Sequence, residues 1–132
     1  MLRKAITFAV LFFIIGSNAF AQTQEKKTAD KKFWAINSLM IGSTIYDIES
    51  TYLTLDRCAT CYEKNPLMRS FVESGRPAAY SVQMAINGGI IYASYEMKKS
   101  QRFRKVWWAI PVAVTVAHVV AGTHNIRLGI KF

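Results

Sequence analysis

"FWAINSLMIGSTIYDIESTYLT", residues 33–54, decides the fold. It is about the length of a membrane span, yet it carries Asp47 and Glu49 into its second half. On a helix, Ser43, Asp47 and Thr51 fall at i, i+4 and i+8 and share one face, with Asn37 off that stripe. Such a segment must satisfy its own backbone and hide its polar side. A helix does the first, and packing against other helices does the second.

Two further segments fit the same description. Residues 78–97, "AAYSVQMAINGGIIYASYEM", hold no charge before Glu96, and residues 106–123, "VWWAIPVAVTVAHVVAGT", hold no Lys, Arg, Asp or Glu. In the first of these, Gln83 and Asn87 lie four apart, and Gly88 and Gly89 are expected to admit a close neighbour. In the second, Thr115, His118, Gly122 and Asn125 recur at steps of three and four. Each span has one polar stripe, and the three stripes are expected to face each other. Asp47 and His118 are the natural pair, since ionisable groups at membrane depth seek partners. Neither "AVTVAHVVAG" nor "MAINGGIIYA" alternates as a barrel strand would. The terminal "IRLGIKF" does, but seven residues do not make a barrel.

Composition agrees. The 132 residues are one domain at most, 52% hydrophobic and 19% charged, with mean hydropathy +0.14 and net charge +9. The basic residues are clustered beside apolar stretches: Lys26, Lys27, Lys31 and Lys32 before the first span, and Lys98, Lys99, Arg102, Arg104 and Lys105 between the other two. That placement favours contact with anionic lipid head groups over nucleic acid. Trp34, Trp107 and Trp108 sit beside these clusters, where interfacial aromatics belong.

The first residues read as an export signal. "MLRK" is basic, "AITFAVLFFIIG" is apolar, and "SNAFA" offers a cleavage site after Ala21. The expected organisation is a signal peptide over 1–21, a polar linker over 22–32, a helical membrane domain over 33–125 and a tail over 126–132. The expected fold is all-α, a three-helix transmembrane bundle, or four helices if the signal segment is retained. Orientation stays open. Cleavage after Ala21 puts the clustered basic residues outside, against the positive-inside tendency.

The 55–77 connection carries the remaining chemistry. Pro66 suits the first position of a short helix, "PLMRSFVES", and Asn65 suits its cap. Capping leaves Glu63 without a role. Cys58 and Cys61 are the only cysteines. They read as a loop disulfide in an oxidising compartment or as two thiols in a reducing one. A zinc site would need two further ligands, and His118, His124 and Asp47 show no standard metal spacing. No metal and no cofactor is expected.

The order Asp47-x-x-x-Thr51, then Glu63-x-Asn65-Pro66-Leu67, then a basic turn and a third span with His118 and Asn125 resembles a family. It is a group of small bacterial multi-helix membrane proteins built on a domain of unknown function. The resemblance implies a helical membrane fold and a candidate polar cluster of Asp47, Thr51, Glu63, Asn65, His118 and Asn125. It implies no reaction, and no catalytic residue is assigned. The favoured reading is a non-enzymatic inner-membrane protein of a bacterium, bound to lipid and to a membrane-protein partner or its own copies. The rival is a small membrane enzyme or proton-coupled carrier using Asp47, Glu63 and His118.

Overall fold

The computed structural model describes residues 28–130. The expected signal segment, most of the polar linker and the last two residues lie outside that range. The described chain is all-helical, with four helices and no strand. They are α1 (Lys31–Arg57), α2 (Pro66–Glu73), α3 (Arg76–Lys99) and α4 (Ala109–Ile130).

Local chemistry sets each boundary. Asp30 caps α1, its carboxylate accepting from Phe33 N–H at 2.9 Å. Asn65 caps α2 by accepting from Leu67 N–H at 3.1 Å, with Pro66 as the first helical residue. Gly75 separates α2 from α3 at φ 102°, a conformation open to glycine and strained for other residues. A run of turns over 101–108 ends at α4, whose first turn holds Pro111, where the missing N–H breaks no helical bond. The helix of the third expected span, α4, therefore starts later than residue 106. It also continues to Ile130, through the stretch expected to be a tail.

Pairs along the helices fix the topology. Phe33 packs on Trp107 at 5.4 Å between ring centroids, Asp47 meets His118, and Thr54 meets Asn125, so α1 and α4 run parallel. Asp30 meets Lys98, Thr44 meets Asn87, and Glu49 meets Tyr80, so α3 runs antiparallel to both. The amphipathic α2 lies across one end, burying Met68 and Val72 against Ile48, Tyr52 and Ala79.

The α1–α4 seam has a 3.5-residue repeat. On α1 it runs through Asp47, Ser50 and Thr54, and on α4 through His118, Gly122 and Asn125. Steps of three and four alternate because a strict i+4 stripe drifts around the helix, whereas a 3.5 repeat stays on the partner. Asn37, off the i+4 stripe, is 1% exposed, its amide donating to the Phe33 carbonyl at 2.9 Å.

The bundle encloses polar and apolar residues alike and exposes many apolar ones. Asn37, Ser43, Thr44, Asn87, Ser94 and Thr115 are buried beside Phe33, Met40 and Ile48, while Leu39, Ile45, Leu53, Ile86, Val116, Val119 and Val120 are exposed. The buried Oδ1 atoms of Asn37 and Asn87 and the Ser94 hydroxyl lack partners among the described residues. Gly88 and Gly89, expected at a close helix contact, face outward, and a Cβ at either would meet nothing within 4 Å. The close approach is at Gly122 instead, against Tyr46 and Ser50.

Asp30 also joins the ends of α1 and α3, its carboxylate 2.6 Å from Lys98 Nζ. The Lys98 ammonium, helped by Phe33 N–H, holds the Asp30 carboxyl below its ordinary range. A depressed carboxyl stabilises the fold above its unfolded pKa, and that contribution is lost as pH falls through the lower folded value. Asp30→Asn keeps a cap and loses the ion pair. It is expected to lower the thermal midpoint at neutral pH, and the gap from the parent should close in strong acid.

Candidate functional site

The two acids in the second half of α1, Asp47 and Glu49, have separate partners. Glu49 accepts from Tyr80 Oη at 2.7 Å and from Arg76 Nη1 at 2.7 Å, tying α1 to α3. Arg76 reaches Asp56 as well, at 3.5 Å, and lies 4.9 Å from the Tyr52 ring centroid. Asp47 turns the other way, toward α4. Its Oδ2 is 2.8 Å from His118 Nδ1, and its Oδ1 accepts from Asn125 Nδ2 at 3.3 Å. A carboxylate only accepts, so the imidazole carries its hydrogen on Nδ1 in this arrangement. The Asp47 and His118 side chains are 19% and 16% exposed.

Asn125 ties the group together. Its amide donates to Thr51 Oγ1 at 2.9 Å, with longer contacts to Asp47 and to Ser50 Oγ at 3.4 Å. Its backbone carbonyl accepts from Thr54 Oγ1 at 2.8 Å, which fixes α4 past the expected end of the third span.

Glu63 and Asn65 arrive from the α1–α2 connection. Glu63 Oε1 accepts from the Asn65 backbone N–H at 2.8 Å, and Asn65 in turn caps α2. This gives Glu63 a role that capping alone does not: it holds the turn that places Asn65.

All six residues of the candidate polar cluster line one cavity of about 180 Å³, together with Gln83 from α3. Its apolar wall is Ile48, Tyr52, Met68, Val72, Ala79 and Ala121. Gln83 stands out in the sequence only as a neighbour of Asn87. The antiparallel α3 puts it at the depth of Asp47, and that pairing is not legible without the topology. The α2 residues of the wall depend on α2 folding back, which no motif announces. Ser50 and Thr54 fall outside the i+4 stripe, so the stripe does not point to them. Among the described residues no Lys or Arg lines the cavity. Among the described residues no group of three or more His, Cys, Asp or Glu is placed to hold a metal ion.

Cys58 and Cys61 form a disulfide at the end of α1. It staples the start of the connection that supplies Glu63 and Asn65. In the chain-entropy picture so small a ring contributes about 2 kcal/mol. Cys58→Ser with Cys61→Ser is expected to accelerate amide exchange over residues 59–65 and leave the α1–α4 seam protected. Unchanged exchange in the connection would show that the staple does not hold it.

Among the described residues one helix, over Ala109–Leu128 in α4, is long and apolar enough by itself to cross a membrane. α1 and α3 fall short because their polar seams lower their average, although their outward faces are uncharged between Phe33 and Ile48 and between Pro77 and Tyr95.

No curated protein and no solved structure matches the chain. A family profile does: the one described as Domain of unknown function (DUF5658) matches residues 38–130. That range takes in α1 from Ser38 onward, α2, α3 and α4, with every residue of the cavity. The chain therefore belongs to the DUF5658 family.

Proposed function

We propose that the chain is an integral protein of the bacterial inner membrane, with α1, α3 and α4 as spans and α2 lying across one surface, and that its cavity binds a small polar ligand or a polar group of a partner. The observation that carries this reading is a polar seam inside an apolar exterior. Met40, Ile48 and Val72 are buried, as in any bundle, but Asn37, Thr44, Asn87 and the Asp47–His118 pair are enclosed with them, while Leu39, Ile45, Leu53, Val116, Val119 and Val120 face outward. In lipid the arrangement is natural, because hydrocarbon solvates the outer face and most of the enclosed polar groups are hydrogen-bonded within the bundle. α1 is about 40 Å long at 1.5 Å per residue, and α3 and α4 also exceed a 30 Å hydrocarbon core.

The lining favours a donor-bearing ligand. Asp47, Glu63, Thr51, Gln83 and Asn65 offer oxygens, and among the described residues no Lys or Arg lines the cavity to hold an anion. At about 30 Å³ per water, the cavity has the volume of roughly six waters. A small amine or polyol suits it better than a nucleotide or a lipid.

The test has two parts. The full-length chain should stay in the membrane pellet after alkaline carbonate washing; release into the supernatant would overturn the membrane reading. Purified in detergent, it should show a thermal shift with small amines or polyols that is lost in Glu63→Gln or Gln83→Leu. A shift of equal size in those variants would overturn the binding reading. The meeting of Asp47, Glu63 and His118 on one cavity also favours a second reading, a small membrane enzyme or proton-coupled carrier. Proton flux in proteoliposomes that disappears in Asp47→Asn would select it.

A further inference from the structure

The two ends of the bundle differ in charge. Among the described residues, one end holds Lys31 and Lys32 of α1, Lys98 and Lys99 of α3, and Arg102, Arg104 and Lys105 of the connecting turn, against Asp30 and Glu96. At the other end Arg57, Lys64, Arg69, Arg76 and Arg127 are nearly balanced by Glu49, Asp56, Glu63 and Glu73. Several of the latter neutralise each other directly: Arg69 with Glu73 at 2.8 Å, and Arg76 with Glu49 and Asp56.

The basic end is built for an interface. Phe103, Val106 and Trp108 are 44%, 46% and 42% exposed and alternate with Arg102, Arg104 and Lys105. Trp108 Nε1 donates to the Lys105 carbonyl at 2.9 Å, which braces the turn. Lys98 is the exception. Its side chain is 14% exposed, bound to Asp30 and 4.6 Å from the Trp107 ring centroid, so it serves the fold. The other cations project around the aromatic rim.

A second feature marks the opposite end. The Cys58–Cys61 disulfide sits there, beside the cavity residues Glu63 and Asn65. Disulfides persist in oxidising compartments, and basic loops stay in the cytoplasm. Charge and disulfide lie at opposite ends of one bundle, so both assign the same sides.

We infer that the basic, aromatic-studded face formed by the α3–α4 turn and the start of α1 binds the anionic phospholipid head groups of the cytoplasmic leaflet, and so sets the bundle with its cavity end on the non-cytoplasmic side. This rests on the membrane reading above. It puts residue 31 in the cytoplasm, so it sides with the charge bias against cleavage after Ala21, which would start the mature chain outside.

The test uses the full-length chain in an expressing bacterium. In a Cys58→Ser, Cys61→Ser background, single cysteines are placed by Thr60→Cys or Gln101→Cys, both exposed positions. A membrane-impermeant maleimide should label the Thr60→Cys protein in intact cells and the Gln101→Cys protein only after permeabilisation. The reverse pattern, or labelling of both in intact cells, overturns the orientation while the chain remains in the carbonate-washed membrane. Release by carbonate is a different result and overturns the membrane reading itself. For the lipid, phosphatidylglycerol added to the detergent-purified protein should raise its thermal midpoint, and phosphatidylcholine should not. The rise should vanish in Arg102→Gln, Arg104→Gln, Lys105→Gln. An equal rise with both lipids, or with inorganic phosphate, overturns the head-group assignment.

Discussion

Asp47→Leu is expected to destabilise the bundle in detergent by about 1–3 kcal/mol for each polar partner it strands. Two partners are at stake, His118 Nδ1–H and the Asn125 amide. Asn125 retains Thr51 at 2.9 Å, so most of the loss falls on His118. Asp47→Asn should cost less. A neutral imidazole can move its hydrogen to Nε2 and accept from the new amide at Nδ1, while the amide oxygen still accepts from Asn125. The decisive comparison is the double variant. Removing one partner of an enclosed pair leaves the other uncompensated, and replacing both with apolar groups removes that penalty. Asp47→Leu with His118→Leu should therefore be more stable than Asp47→Leu alone, read as the midpoint of thermal or denaturant unfolding in detergent. Equal stability would mean that the two side chains are not coupled. The comparison also separates structure from function, because the double variant keeps the bundle and empties the cavity of its central charge.

The same residues show how far the sequence reaches. Asp47, His118 and Asn125 are legible because polar groups in apolar segments are few and their spacing confines them to one face. Asn65 is legible because Asn-Pro marks a helix start, whereas Glu63 enters the expected cluster only through the Glu-x-Asn-Pro resemblance, since capping leaves it without a role. The period is not legible in the same way. An i+4 rule picks out Ser43, Asp47 and Thr51, whereas a parallel pair of helices in long contact keeps a 3.5 repeat, which brings in Ser50 and Thr54. The end of α4 also escapes a local reading, since "IRLGIKF" alternates and nothing nearby shows that Thr54 will anchor the Asn125 carbonyl. Gln83 and the apolar wall require the relative direction of α3 and the fold-back of α2. Those follow from pairings such as Thr44 with Asn87 and Glu49 with Tyr80, which are long-range and leave no local mark.

Gly122 is expected to be the least replaceable residue of the α1–α4 seam. A Cβ at this position would stand 2.5 Å from Tyr46 Cε1, 2.6 Å from Tyr46 Cδ1 and 3.2 Å from Ser50 Oγ. Tyr46 can yield, because its ring is 37% exposed and its hydroxyl contact with Thr123 is long, at 3.4 Å. Ser50 cannot yield so easily, being 4% exposed and bonded to the Asp47 carbonyl at 2.8 Å. Gly122→Ala should then cost about 1–3 kcal/mol, the usual range for overpacking, and Tyr46→Ala in the same chain should restore most of it. Gly122→Leu has no such escape. Its branched carbons meet Ser50 and the α1 backbone, and α4 must lift away between His118 and Asn125, the two residues that hold Asp47. The expected result is loss of cooperative unfolding in detergent, with no rescue by Tyr46→Ala. Gly88→Ala and Gly89→Ala supply the contrast. Both positions are open, and alanine in a helix interior is favoured over glycine by roughly 0.5–1 kcal/mol, so the midpoint should hold or rise. If Gly122→Leu unfolded like the parent, α1 and α4 would not be in close contact there. The seam that places His118 and Asn125 against Asp47 would then have to be drawn again.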